Sequence, residues 1–312
     1  MKIALGCLLV LFGVLGLSYS LVTPVFEAPD EVWHYAYVRY LAEERALPAL
    51  TGDASGAHQE VAQPPLYYAI AALVSGLAPD DDLPDLMWHN PGFGYQAGGA
   101  VNDNKNMLIH TGHTGHTGRE RFPWRGAVLA IRLARFVSLG FGLLTVFATW
   151  GLGREAFPQR PALALGVAAV VAFHPQFLFI SGVASNDSAA AALSTAALWA
   201  IARILNRGST IRRSVVIGLL LGLAALTKTS TLLLIPLATI ALALAPRHSS
   251  FAIRHSPLVI GHWTLVIGHW SLVIRHWSLV IGHWSLIGAW WYIRNAILYG
   301  DPFGFRVHTN TL

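Results

Sequence analysis

The sequence predicts an all-α, polytopic transmembrane helix bundle of about seven spans, with a large first extracytoplasmic loop that carries interfacial helices. Three observations predict it. Apolar side chains make up 54% of the 312 residues and charged ones only 12%, whereas a soluble domain carries roughly 25% charge. Mean hydropathy is positive, at +0.51. The apolar residues also fall in runs, at 3–22, 136–152, 162–182, 189–204, 214–227, 231–246 and 258–288. Runs shorter than the roughly 20 residues that cross a bilayer must extend into flanking sequence.

The first run begins after Met1-Lys2 and continues to Val22. Its length, and the poor cleavage site at Ser18-Tyr19-Ser20, predict an uncleaved first span rather than a signal peptide. Cys7 is the single cysteine, which excludes a disulfide within the chain and a cysteine metal site. Net charge is +5. The arginines sit at the ends of apolar runs and read as topology signals, so no nucleic acid partner is expected.

Leu66 to Leu77 is an apolar stretch of only about a dozen residues after Pro64-Pro65, short of a span. If it does not cross, 24–130 is one long outer loop, and the basic loops holding Arg203, Arg207, Arg212 and Arg213, then Arg247 and Arg254, all lie inside. If it crosses, the Arg212 cluster flips outside. The segment is therefore expected to lie on the membrane. Within the same loop, Asp30 to Ala46 places Val32, Tyr35, Val38 and Leu41 or Ala42 near one helical face, which predicts an amphipathic interfacial helix. The stretch 79–106, rich in Asp, Gly, Asn and Pro, reads as loop.

Two repeats follow. Residues 110–118 read HTG three times, and 247–287 carries a heptad, HW[ST]LVI[GR], with His248, His255, His262, His269, His276 and His283 in phase. A metal site, a helix stripe and in-frame expansion of repeated DNA are the readings open to such tracts. Histidines one heptad apart on a helix lie about 10 Å from their neighbours, too far to share a metal ion. DNA-level expansion is the preferred origin, and the tract is apolar enough for one span. The chain thus divides into a transmembrane region at 1–246, the heptad tract at 247–287 and an outer-face segment at 288–312.

Candidate chemistry gathers at one face. Glu27-Ala28-Pro29-Asp30-Glu31-Val32-Trp33-His34 follows the first span. Taken alone, Asp30 and Glu31 can be a helix start that favours the dipole, or a pair of acid–base groups. Gln63-Pro64-Pro65-Leu66-Tyr67-Tyr68, then Phe122 to Gly126 and Leu133-Ala134-Arg135, Ser185-Asn186-Asp187, Leu226-Thr227-Lys228-Thr229-Ser230, and Trp290-Trp291-Tyr292-Ile293-Arg294-Asn295 follow in order. In the topology above each of these groups falls outside.

That order of motifs resembles the bacterial GT-C membrane glycosyltransferases, the broad group of protein O-mannosyltransferases and aminoarabinose transferases, and within it uncharacterised bacterial members of the DUF2142 or RgtA/B/C/D-like type. The likeness runs from residue 1 to 246 and resumes at 288–305. It implies a multi-pass protein of the bacterial inner membrane that moves a sugar from a polyprenyl-phosphate carrier to an acceptor on the outer face. In such enzymes an Asp-Glu pair after the first span supplies the catalytic carboxylate, here Asp30 with Glu31 beside it. The resemblance offers His34, Gln63, Tyr67, Asn186, Asp187, Lys228 and Arg294 for substrate binding. The departing phosphate needs positive charge, from Lys228, Arg294 or a divalent metal for which Glu31 and His34 are the possible ligands. Relatives are generally longer, which makes truncation an expectation. The alternative is a non-catalytic membrane protein, either a truncated relic or a carrier-lipid binding or transport component. Transporters place charges inside their spans, and the apolar runs here are nearly free of them.

Overall fold

The computed structural model describes residues 1–50, 56–90, 108, 120–245 and 260–305, with backbone alone for 260–270 and 272. The HTG repeat and the start of the heptad tract lie outside the described residues. Among these residues the structure is helical, apart from an isolated antiparallel bridge between His89 and Leu108. It is an all-α membrane helix bundle.

Among the described residues, three helices are long and apolar enough to cross a bilayer alone: α1 (Lys2–Val22), α4 (Gly126–Ala156) and α7 (Asn186–Arg207). The intervening run is divided into α5 (Pro161–Ala172) and α6 (Pro175–Ser181), which qualify as a span only together. Pro175 explains the break, since the residue before a proline is driven out of helical geometry, and His174 is extended, with φ −71° and ψ 119°. The later runs fold as shorter pieces: α8 (Ile211–Ala225), a 3-10 turn over Thr229–Leu233, and α9 (Leu234–Leu244). Pro236 lacks the N–H needed to continue that turn as α-helix, yet fits the first turn of α9.

The chain forms two compact units. In the first, covering 10–143 and 173–188, α1, α4 and α6 approach through small residues. A Cβ on Gly142 would lie 2.6 Å from Ser181 Oγ, and one on Gly182 3.0 Å from the Ser20 nitrogen. Phe12, fully buried, stacks on Phe177 at 5.6 Å. Over the outer-loop sequence, α2 (Glu31–Glu44) packs on α3 (Leu66–Ser75), with Tyr37 stacked on Tyr68 at 4.1 Å. Ten helical residues reach about 15 Å, half the hydrocarbon thickness of a bilayer, so α3 cannot span by itself. Leu73 and Leu77 remain exposed at its end.

The second unit covers 1–9, 144–172 and 189–304. Here α10 (Ile260–Trp284) continues through a π-helical turn, Ser285–Ala289, into α11 (Trp290–Tyr299). Gly218 and Gly222, four apart on α8, let α10 come close, as small residues do between membrane helices. A Cβ on Gly218 would lie 2.6 Å from the Val280 carbonyl oxygen. Val280 joins a buried cluster with Ile201, Ile204, Ile217, Leu221 and Leu242. The arginines after α7 also have structural work. Arg203 and Arg207 pair with Glu155, at 3.1 and 3.0 Å. Arg213 donates to the carbonyls of Arg207 and Gly208 at 2.7 and 2.6 Å, closing the helix end where Gly208 takes φ +73°.

Candidate active site

The first unit holds the densest buried polar network, and its origin is the geometry of α4. Arg132 and Arg135 stand three residues apart on that helix, so they share a face. Both side chains are buried. A cation there must be fully hydrogen-bonded to be tolerated. Arg135 meets that demand by donating Nη1 to the carbonyls of Ser20 and Thr23, both at 2.8 Å, and Nη2 to that of Pro24 at 2.8 Å. Arg132 reaches Leu21 and Thr23 more loosely, at 3.4 and 3.5 Å, and pairs with Glu120 at 3.2 Å. Two guanidinium groups thus neutralise the carbonyl-rich end of α1, where the helix dipole is negative.

Arg135 also grips Glu31. Its Nε lies 2.7 Å from Oε1 and its Nη2 2.6 Å from Oε2, a bidentate fork. Glu31 Oε1 accepts a further bond from the Ala184 N–H at 2.8 Å, and Oε2 one from the Phe26 N–H at 3.0 Å. Glu31 is wholly buried. The carboxylate therefore ties α2, α4, the turn after α1 and the turn before α7 together, with both oxygens engaged. The Arg135 guanidinium engages both of its oxygens, and His34 Nδ1 lies 2.8 Å from the Tyr68 hydroxyl. Both Glu31 oxygens and His34 Nδ1 thus already have protein partners. No group of three or more His, Cys, Asp or Glu side chains arranged for one exists among the described residues.

Asp30 differs from its neighbour in every respect. It is exposed, it sits at φ +61° and ψ −2°, and its side chain makes no capping hydrogen bond to α2. Left-handed backbone at a residue other than glycine is uncommon, though Asp tolerates it. Phe26, four residues earlier, is also left-handed at φ 64° and is buried, which for a bulky residue marks a turn held by its surroundings. The bond from the Phe26 N–H to Glu31 is part of that hold. The turn carrying Asp30 is thus clamped through Glu31, while Asp30 itself is exposed and does not cap the helix.

Around this turn lie other residues singled out by sequence. His34 Nδ1 is 2.8 Å from the Tyr68 hydroxyl, which in turn donates to Glu60 Oε2 at 3.2 Å, and all three are buried. Tyr67 bonds Ser138 at 2.8 Å, and the Ser185 N–H reaches the same Ser138 oxygen at 3.5 Å. Burial holds the Tyr67 phenol well above its ordinary pKa; burial and then the Glu60 charge do the same for Tyr68. Gln63 contributes its carbonyl, accepting from the Tyr37 hydroxyl at 3.4 Å. Asn186 is buried at the start of α7, and half-buried Asp187 donates its N–H to Ser185 Oγ at 3.2 Å.

Lys228 and Arg294 belong to the second unit. Lys228 is half-buried ahead of the 3-10 turn. Arg294 lies 4.8 Å over the Trp291 ring, a cation–π contact. Sequence analysis passed over Arg132, Ser138, Glu60 and Glu120, and named Arg135 within a motif without giving it a role. The two arginines had a legible signal, being charges set inside an otherwise apolar helix, which are expensive and must be partnered.

Fold and network together define a polytopic all-α membrane protein with a buried ion-pair clamp beneath an exposed acidic turn. Residues 127–274, just short of half the chain, match the family model for dolichyl-phosphate-mannose-protein mannosyltransferase. That match supports a membrane glycosyltransferase of the GT-C type. It includes Arg132, Arg135, Ser138, Asn186, Asp187 and Lys228; Asp30, Glu31, His34, Gln63, Tyr67 and Arg294 lie outside it. No curated protein matches the chain. No solved structure matches it either.

Proposed function

We propose that this protein transfers a sugar from a polyprenyl-phosphate donor to an acceptor on the extracytoplasmic face of a bacterial inner membrane, with Asp30 as the general base. The observation that carries the proposal is the division of labour between two adjacent acids: Glu31 is sealed by Arg135, and Asp30 is exposed on the turn Glu31 fixes. In the reaction, Asp30 takes the proton of the acceptor hydroxyl as its oxygen attacks the anomeric carbon. The bond from that carbon to the phosphate oxygen breaks, and polyprenyl phosphate leaves. A base held on fixed backbone loses little entropy on reaching that geometry.

The test is Asp30→Asn in the full chain, reconstituted in detergent with a panel of polyprenyl-phosphate sugars. Transfer should fall about 10²–10⁴-fold, the usual contribution of a general base, while donor binding persists. Equal transfer by wild type and variant would overturn the assignment of the base. If wild type transfers from no donor, a non-catalytic role in carrier-lipid binding replaces the enzyme. Reporter fusions at residues 95 and 208 test the orientation; a cytoplasmic signal at 95 would place the acidic turn on the wrong side.

A further inference from the structure

One cleft in the first unit has no part in the transfer step described above. Its volume is about 460 Å³, within the range of pockets that take small organic ligands. It lies along the face of α2 opposite His34 and Tyr37, and Trp33, Ala36, Tyr40 and Glu43 line it at helical spacing. The turn that carries Asp30 borders it at one end, since Phe26 and Val32 are also in its wall, and the Trp33 N–H is bonded to the Asp30 carbonyl at 3.0 Å.

The chemistry of that wall is specific. Trp33 and His58 pack with ring centroids 5.1 Å apart and planes tilted by 55°, and Phe26 and Tyr35 stand at 5.9 Å. Gly56 is seated on the Tyr40 ring so closely that a Cβ there would lie 2.6 Å from it. Beside these rings runs a charged rail. Arg39 Nε lies 2.9 Å from Glu43 and 3.2 Å from Asp80, and the Tyr35 hydroxyl donates to Asp80 at 3.0 Å. Half-buried Trp33 and Tyr40 in this wall offer ring surface to the C–H face of a pyranose, while Arg39 and Glu43 beside them can take its hydroxyls as donor and acceptor. A peptide adding as a β-strand would instead require an exposed strand edge along the groove. The described elements of its wall, α2 and the 3-10 turns His58–Ala62 and Leu83–Leu86, are helical.

We propose that this cleft is an acceptor subsite for a saccharide, so that the hydroxyl reaching Asp30 belongs to a glycan rather than to a serine or threonine of a protein. The inference rests on the proposed transfer reaction for its biological sense, but binding can be measured without donor. Saturation-transfer NMR on the full chain in detergent, with methyl glycosides and short oligosaccharides as probes, should show transfer to the C–H face of at least one sugar. Trp33→Ala and Tyr40→Ala should each weaken that binding about tenfold, the equivalent of roughly 1.4 kcal/mol. Trp33→Phe should retain most of it. Absence of signal from every saccharide, binding indifferent to both Trp33→Ala and Tyr40→Ala, or competition by a Ser/Thr peptide alone would overturn the proposal. Binding without sugar transfer would sink the enzyme reading and leave the cleft standing; transfer to a peptide without saccharide binding would do the reverse.

Discussion

Arg135 grips Glu31 from 104 residues further along the chain, with contacts of 2.7 and 2.6 Å to its two carboxylate oxygens. Both side chains are fully buried. Removing one member of such a pair leaves the other charge stranded, which costs about 3–5 kcal/mol. Glu31→Gln should therefore lower thermal stability in detergent sharply, and Arg135→Lys should too, because an ammonium cannot reproduce the fork. Measured melting temperatures close to wild type for both variants would show that the clamp does not hold the turn.

Asp30 should behave in the opposite way. Its left-handed backbone suits Asn about as well as Asp, so Asp30→Asn is expected to melt with wild type. Asp30→Val forces a β-branched residue to φ +61°, at a cost of about 1–3 kcal/mol. The contrast separates backbone strain from chemistry, since only the Asn variant removes the carboxylate without disturbing the turn. Equal melting of all three proteins would mean that the turn relaxes freely.

What the sequence showed of this arrangement, and what it hid, follows from the range of each interaction. Periodicity alone placed the helix after Pro29, observed as Glu31–Glu44, because its buried residues repeat at helical spacing. The start of α4 escaped notice: hydropathy begins at 136, but the helix begins at Gly126, and Arg132 and Arg135 mask the join. The neighbouring acids were conspicuous, yet nothing local distinguishes Asp30 from Glu31. Their difference is made by Arg135 and Ala184, contacts more than 100 residues away. The His34–Tyr68–Glu60 chain was half visible for the same reason, with His34 noticed and its partner Glu60 not.

Alkaline titration tests the packing of α2 on α3. Tyr67 and Tyr68 are held above their ordinary pKa by burial. The folded value exceeds the unfolded one of about 10, so their contribution to stability is full below that pH and is lost as pH rises toward the folded values. Tyrosinate absorbance should therefore appear in two stages, exposed phenols first and buried ones only together with loss of helical circular dichroism. Complete ionisation while the helices remain intact would show that these hydroxyls are open to solvent.

The heptad tract is held by a seam that single methyl groups can probe. A Cβ at Gly218 would sit 2.6 Å from the Val280 carbonyl oxygen and 2.9 Å from His283 Cβ, and one at Gly222 2.8 Å from Ile287 Cβ. The first of these obstacles is backbone, which cannot swing aside as a flexible side chain does. On the other helix, Gly282 has nothing within 4 Å of its would-be Cβ. Gly218→Ala should thus destabilise by about 1–3 kcal/mol through overpacking, whereas Gly282→Ala should be neutral or gain up to about 1 kcal/mol from helix propensity. Both substitutions add the same methyl group to a helical glycine, so their difference isolates the contact between α8 and α10. Denaturation in mixed detergent micelles, followed by circular dichroism, reads that difference directly. If the two variants unfold alike, the repeats do not pack on α8 through these glycines, and the close approach at Val280 is wrong.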